Sequence, residues 1–299
     1  MKVLITGSSG FIGSALKQLL EEKGAEIVSY DIREDPLDDV RDYSALRSKI
    51  RGVDGVVHLA AVSRVKLAHE HPLDCVNTNV GGIINVLESA REVFSKNGRP
   101  WVIFGSSREV YGEPTNLPVV ESSPRKAINV YGVSKLSGEE FCKAYSDNYG
   151  LKTRVLRFSN VYTGINDHLD RVIPKFILRA YKNDDLVING LGVEIFDFTY
   201  ISDTIQGIWG CIQEIEGNPY LFDDFNLSTG IPVSLRELAE LIIKKTGSKS
   251  KIKYKKARTY DVNKFYANPN KARNKLGFSP NVNLENGLNL AIKELTDIL

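Results

Sequence analysis

The sequence predicts an α/β fold, a doubly wound parallel sheet with an interleaved smaller C-terminal domain. Three observations carry that prediction. Short β-branched runs alternate with helical patterns through the first half, the signature of βαβ units. The first run is followed at once by a glycine-rich turn that opens a helix. After Asn160 the alternation loosens and turn residues multiply.

Taken in order, strands are expected at Lys2–Thr6, Glu26–Tyr30, Gly55–Leu59, Trp101–Gly105 and Thr153–Phe158. Between them, Ile12, Ala15, Leu16, Leu19 and Leu20, then Val80, Ile83, Ile84, Val86 and Leu87, recur at helical spacing. Right-handed crossovers would place such helices on both faces of the sheet, with ligands beyond the carboxyl ends of the strands. Later, helices are expected at Val172–Lys182 and Leu235–Thr246, and strands at Leu186–Ile188, Asp197–Ile201 and Phe225–Ser228. Residues 1–164 would form the first domain, with returning segments near 195–229, and residues 165–299 most of the second. No repeat, low-complexity tract or flexible linker is visible. Trp101 opens a strand and Trp209 lies in an apolar helix, so both read as core.

Composition narrows the function. The 299 residues are 42% hydrophobic and 25% charged, an ordinary globular mixture, and the net charge of +2 gives no electrostatic case for nucleic acid or a membrane. A small-molecule substrate fits better. Lys244–Lys256 carries seven lysines, but Gly247, Ile252 and Tyr254 interrupt them, as in a solvated helix end and strand. The three cysteines, Cys75, Cys142 and Cys211, suggest neither disulfides nor a thiolate zinc site, which fits a reducing cytoplasm. The Val3–Ile5 run is too short for a signal-peptide core, and no stretch approaches the ~18 to 20 apolar residues that span a bilayer. His69, His71 and His168 have no metal-ligand spacing, so no metal is expected, and His58 reads as a packing or loop-shaping residue.

The chemistry begins with Thr6-Gly7-Ser8-Ser9-Gly10-Phe11-Ile12-Gly13. Glycines at i, i+3 and i+6 permit a tight turn, close approach of backbone N–H groups to a pyrophosphate, and close packing of helix on strand. Strand, turn, helix, second strand and then Asp31 follow in the order a dinucleotide site requires. Asp31 can accept from both hydroxyls of the adenosine ribose and repel a 2′-phosphate, which favours NAD over NADP; Arg33 nearby could meet such a phosphate. Further on, Tyr131 and Lys135 stand four apart at the start of a helix, on one face. A phenol of reference pKa about 10 becomes a usable base beside a lysine ammonium and an oxidised nicotinamide.

With these residues placed, the chain resembles the extended short-chain dehydrogenases/reductases of the nucleotide-sugar epimerase/dehydratase family, nearly end to end. The likeness runs through the glycine turn, Asp39-Val40, His58-Leu59-Ala60-Ala61 and Asn79-Val80-Gly81-Gly82. It continues through Gly105-Ser106-Ser107-Arg108-Glu109-Val110-Tyr111-Gly112, Tyr131/Lys135, Leu156–Tyr162, Asp197–Asp203 and Leu276–Pro280. The resemblance implies a Rossmann-type first domain holding NAD through Gly7, Gly10, Phe11, Ile12, Gly13, Asp31, Arg33, Asp39, Val40, Leu59, Ala60, Ala61, Tyr131 and Lys135. It implies that Ser107 bonds the reacting sugar oxygen, that Tyr131 is the acid/base, and that Lys135 holds phenol and nicotinamide ribose. Asn160 and Arg258 match positions that grip the substrate's diphosphate.

The chain departs from the family's pattern in two places. Phe196 stands where many members have an arginine, so one phosphate contact is missing. Arg108-Glu109 stand where dehydratases carry adjacent Asp and Glu and plain epimerases carry small or neutral residues. An arginine, with a pKa above about 12, cannot readily protonate a leaving hydroxyl, so dehydration is disfavoured. Arg108 could instead hold a sugar carboxylate, or simply pair with a surface acid, while Glu109 stays a catalytic candidate. The expected activity is 4-epimerisation of an NDP-hexose or NDP-uronate through a transient 4-keto sugar. Within the family the rivals are a 4-keto-sugar reductase, a decarboxylase and a dehydratase. A non-catalytic NAD-binding regulator is the rival from another class. The resemblance also suggests a homodimer through the helices around Val80–Arg91 and Tyr131–Tyr149.

Overall fold

The glycine turn sits between β1 (Lys2–Thr6) and α1 (Phe11–Glu22), and the first half of the chain repeats that unit. A computed structural model describes residues 1–94, 99–164 and 166–297. After β2 (Glu26–Tyr30) come α2 (Tyr43–Ile50), β3 (Gly55–His58), the short helices α3 (Val65–Glu70) and α4 (Pro72–Val76), and α5 (Gly82–Val93). Then follow β4 (Trp101–Ser107), α6 (Val130–Tyr149) and β5 (Thr153–Phe158). A strand buried on both faces must be apolar along its length, and Val3, Leu4 and Ile5 are each 0% exposed.

The second half starts with β6 (Asn160–Tyr162), α7 (Val172–Tyr181), β7 (Leu186–Asn189), β8 (Ile195–Phe196) and β9 (Phe198–Tyr200). Next come α8 (Ile201–Gly217), β10 (Phe222–Leu227), β11 (Val233–Ser234), α9 (Leu235–Thr246), β12 (Ile252–Lys255), α10 (Asn270–Leu276) and α11 (Leu284–Thr296). α9 is bounded by local chemistry: Ser234 and Glu237 form a capping box at its start, and Gly247 ends it in the left-handed conformation at φ 64°.

The central sheet has six parallel strands in the order β10-β5-β4-β3-β1-β2. Thr6 pairs with both Tyr30 and His58, and Ser107 pairs with Phe158, so the carboxyl ends of five strands finish along one edge. Gly7, Asp31, Leu59, Arg108 and Asn160 all follow at that edge. β10 comes back from the second half to cover β5, and Ile208, Ile212, Leu276 and Phe278 pack into one core with Val3, Leu16 and Trp101. A separate cluster joins α7, α9 and α11 around Phe176, Ile177, Leu238 and Leu288. The expected boundary at 164/165 falls on residue 165, which lies outside the described residues, as do positions 298–299.

Several expected elements differ in extent. β4 runs two residues past Gly105, carrying Ser107 to the sheet edge, and β3 stops at His58 rather than Leu59. The expected strand Asp197–Ile201 is shorter, because Asp197 turns its carboxylate to Thr229 N–H (3.0 Å) and Gly230 N–H (2.6 Å), and Ile201 already begins α8. The last expected strand spans Phe222–Leu227. Trp101 is buried, its Nε1–H donating to Glu216 at 2.5 Å, whereas Trp209 is half-buried at the core's margin.

One polar network crosses the interior. Arg157, 1% exposed, donates from Nε to Glu139 Oε1 (2.9 Å) and from Nη2 to Glu139 Oε2 (2.8 Å) and Asp224 Oδ2 (2.7 Å). Ser106 Oγ donates to Glu139 at 2.5 Å and Arg125 Nη1 at 2.8 Å, so β4, β5 and α6 share one carboxylate, and Asp224 of β10 joins them through Arg157. Removing one partner of such a buried pair strands the other's charge. Arg157→Met is expected to lower unfolding free energy by about 3–5 kcal/mol, read as a fall in the urea midpoint. A loss under about 1 kcal/mol would show that the network carries little of the stability.

Candidate active site

A cleft of about 1100 Å³ opens along the carboxyl edge of the sheet and is walled on the far side by α7, β8 and the chain around residues 257–263. Gly7 stands at φ 73°, and a Cβ there would come within 2.8 Å of Ala60 N. At Gly13 a Cβ would reach 2.0 Å from Gly7 O, so no side chain fits while α1 lies this close to β1. Gly10, at the N-cap of α1, has no side chain to occupy the helix's free N–H groups. Phe11 and Ile12 line the cleft beside them. This bare cradle at a helix N-terminus fits a pyrophosphate.

Asp31 follows β2 directly and is 6% exposed. Its carboxylate accepts from Ser9 N–H (3.0 Å), Arg33 N–H (2.9 Å) and the Arg33 guanidinium (3.3 Å), contacts that outweigh burial and hold its pKa below the usual range. The arginine that could have met a 2′-phosphate is thus engaged by Asp31. Glu34, not singled out in the sequence, accepts from the hydroxyls of Ser8 and Ser9 and adds a second negative charge at the same spot. Its signal was local: two serines within the turn and an acid three residues past Asp31.

Leu59 and Ala60 donate backbone N–H groups to Thr6 Oγ1, each at 3.2 Å, and that hydroxyl shares a hydrogen bond with His58 Nδ1 at 2.7 Å. Burial pushes the His58 pKa down to about 3, so its ring is neutral and shapes the loop that carries Ala61 into the cleft. Val40, 4% exposed, packs against Gly82, while Asp39 lines the cleft with both oxygens held by Arg41 at 2.6–3.0 Å.

Ser107, Tyr131 and Lys135 meet at the end of β4, all under 9% exposed. Asn129 caps α6 by accepting from Gly132 N–H at 2.8 Å, which fixes the helix turn that bears Tyr131. Burial pushes the Tyr131 phenol up to about 12, a hydrogen bond to Ser107 pulls it back, and nearby Glu109 raises it. Lys135 donates to Gly105 O at 2.8 Å and lies 5.9 Å from the Tyr131 ring centroid. Its burial lowers the ammonium pKa to about 8.

Arg108 does not pair with a surface acid, the blander of the two expectations. Its Nη2 lies 2.8 Å from Oε1 of Glu109, which is 3% exposed because the short helical turn after β4 folds it inward. Asn129, also unforeseen, donates to the other Glu109 oxygen at 2.8 Å. Asn160 Oδ1 accepts from Arg108 Nε at 3.2 Å, and its Nδ2 donates to Asp197 O at 3.1 Å. Phe196 lies beneath the Arg108 guanidinium, 4.8 Å from centroid to Cζ. Arg258 stands exposed at the cleft's rim, paired with Asp261 at 2.7 Å. Near it lies Lys175 of α7, half-buried, its ammonium pKa lowered first by burial and then by Arg179 and Arg258. Sequence periodicity marked α7 but gave no reason to single out Lys175.

The model of the NAD dependent epimerase/dehydratase family matches residues 3–227. A protein of Methanocaldococcus jannaschii described as a putative UDP-glucose 4-epimerase is 32% identical over 309 residues, covering 96% of this chain and 95% of its own. The Thermotoga maritima UDP-glucose 4-epimerase with UDP-glucose superposes with a TM-score of 0.90 at 28% identity, over 100% of this chain and 99% of that one. The Bacillus cereus UDP-glucuronic acid 4-epimerase, in complex with UDP-glucuronic acid and NAD, gives 0.90 at 25% identity over the whole of both chains.

The acids around Asp31 set the expected cofactor preference. NAD⁺ should bind more tightly than NADP⁺ by calorimetry, since a phosphate would lose the ribose hydrogen bonds and meet like charge. Asp31→Ala should narrow the gap. Equal or reversed dissociation constants in the unaltered protein would remove Asp31 from cofactor selection.

Proposed function

The chain belongs to the NAD dependent epimerase/dehydratase family, and we propose that it is an NAD-dependent 4-epimerase of a nucleotide-diphosphate hexose or uronate, acting through a transient 4-keto sugar. The observation that carries this reading is the buried set of Ser107, Tyr131 and Lys135 at the glycine-turn edge of the sheet, followed by Arg108 in place of an acid.

Held by the cradle of Gly7, Gly10 and Gly13 and by Asp31, oxidised NAD would supply a reversible two-electron acceptor and a positive charge that favours phenolate. The rest falls to the chain. Ser107 holds the sugar's C4 hydroxyl against Tyr131. Tyr131 takes the hydroxyl proton as C4 is oxidised, and returns it to the oxygen once C4 has been reduced on its other face. A phenol raised to about 12 is too weak an acid to ionise alone at neutral pH. The Lys135 ammonium, still mostly protonated at pH 7 with a pKa near 8, supplies part of the field that favours phenolate. Asn160 and Arg258 would steady the diphosphate. Arg108 cannot give up a proton to a leaving hydroxyl, which disfavours loss of water. The relatives' UDP-glucose and UDP-glucuronate substrates support a nucleotide sugar here.

Exposed apolar residues Val133 on α6 and Leu73 and Val76 on α4, 44–76% exposed, support pairing of two copies across these helices. The cysteines Cys75, Cys142 and Cys211 are all free and buried, which supports work in the reducing cytoplasm. Among the described residues no helix is long and apolar enough to cross a membrane.

Tyr131→Phe keeps the ring and deletes the proton acceptor. Turnover should fall by roughly 10²- to 10⁴-fold with NAD⁺ affinity little changed. Near-normal turnover in that variant would take Tyr131 out of the mechanism. With a true substrate, NMR should show an inverted C4 centre, no 4-keto-6-deoxy sugar and no carbon dioxide. A 4-keto-6-deoxy product would establish a dehydratase instead, and carbon dioxide released from a UDP-uronate a decarboxylase.

A further inference from the structure

We propose that Arg108 determines sugar specificity, by receiving a carboxylate carried on the carbon next to the reacting C4. This rests on the 4-epimerase reading, since it places the reacting hydroxyl between Ser107 and Tyr131. Arg108 follows Ser107 in the chain and lines the same cleft as Ser107 and Tyr131, within reach of the neighbouring substituent of a ring held there.

The side chain is already held for that task. Nε is fixed by Asn160 (3.2 Å) and Nη2 by Glu109 (2.8 Å), while the guanidinium lies over Phe196 and, at 5.9 Å, over Phe265. Asn129 anchors Glu109 in turn. The third nitrogen, Nη1, is enclosed and has no acceptor among the described residues. A buried donor without an acceptor is costly, and it belongs to a side chain that lines the cleft and is 13% exposed. A small shift of the guanidinium toward a substrate carboxylate would give this donor an acceptor and remove that cost. Because the arginine is already ordered, little of the binding free energy is lost in fixing it.

Charge distribution identifies which oxygen. On α7, Lys175, with no acid in salt-bridge contact among the described residues, stands close to Arg258, Arg179 and Lys255, with Asp170 also near. Several positive charges together suit a diphosphate. Arg108's contacts are Glu109, Asn160 and two phenylalanines, with no second cation among them. A planar guanidinium with no second cation against it, already half-engaged by Glu109, suits a single carboxylate rather than a diphosphate, its N–H fork matching a carboxylate in geometry. Phe196 contributes by offering an aromatic face to the guanidinium where an arginine would repel it.

The test is calorimetric titration of the NAD⁺-loaded protein with UDP-glucuronate, UDP-glucose and UDP. The unaltered protein should bind UDP-glucuronate at least tenfold more tightly than UDP-glucose. Arg108→Gln should reduce that ratio at least tenfold, and Arg108→Lys, which keeps the charge without the fork, should retain part of it. Thermal melting of both variants separates loss of recognition from loss of fold, and the lysine variant decides if the glutamine variant does not fold. An equal loss for all three ligands would mean that the guanidinium serves the diphosphate, and absence of a uronate preference in the unaltered protein would overturn the proposal outright. Product analysis by NMR is kept separate: uronate selectivity without C4 inversion would end the epimerase reading while leaving the role of Arg108 in binding.

Discussion

The site depends first on the carboxylate of Glu139. It accepts from Ser106 on β4, Arg157 on β5 and Arg125, and sits on α6 one turn beyond Lys135 and two beyond Tyr131. Because Ser106 precedes Ser107, a single buried acid sets the distance between the strand that presents the hydroxyl and the helix that presents phenol and ammonium. A second contact, a glycine with nothing to spare, fixes the start of α6: a Cβ at Gly132 would lie 2.7 Å from Glu109 O. With these two fastenings the proton-transfer groups have little freedom. This is the pre-organisation that catalysis by positioned groups requires.

Charge along the cleft is arranged in pairs that belong to neighbouring residues in sequence. Asp31 with Arg33, Asp39 with Arg41, Arg108 with Glu109 and Arg258 with Asp261 are each within three positions of one another. Such local pairs form without waiting for distant contacts, and they keep a cleft rich in charge from repelling itself before any ligand is present. Lys175 and Lys135 stand outside this scheme, and each has its proton affinity lowered chiefly by burial.

How much of this was legible in the sequence depends on how local each feature is. The glycine turn, Asp31 at the end of β2 and the Tyr131/Lys135 spacing are set within a few residues, and the parallel sheet follows from alternating patterns that survive in any context. The inward fold of Glu109, the hold of Asn129 on it and the proximity of Lys175 to Arg258 arise only when β4, α6, α7 and the chain near residue 260 come together. The strand expected through Ile201 shows the same limit from another side. Apolar residues from Phe198 to Ile201 read as one run, yet Ile201 is the first residue of α8, and only Asp197's tertiary bonds to Thr229 and Gly230 mark where the strand begins. Residues 95–98, between α5 and β4, lie outside the described region.

The strand β10 has a consequence for how the protein is made. It pairs with β5 along six residues, from Phe222 against Thr153 to Leu227 against Phe158. Until the ribosome has delivered residue 227, β5 keeps an open edge of unpaired N–H and C=O groups flanked by apolar side chains. The nascent nucleotide-binding half therefore cannot be completed on its own, however early its glycine turn forms. It waits for chain that belongs, in sequence, to the other half, and during that interval it is most open to pairing with another copy of itself.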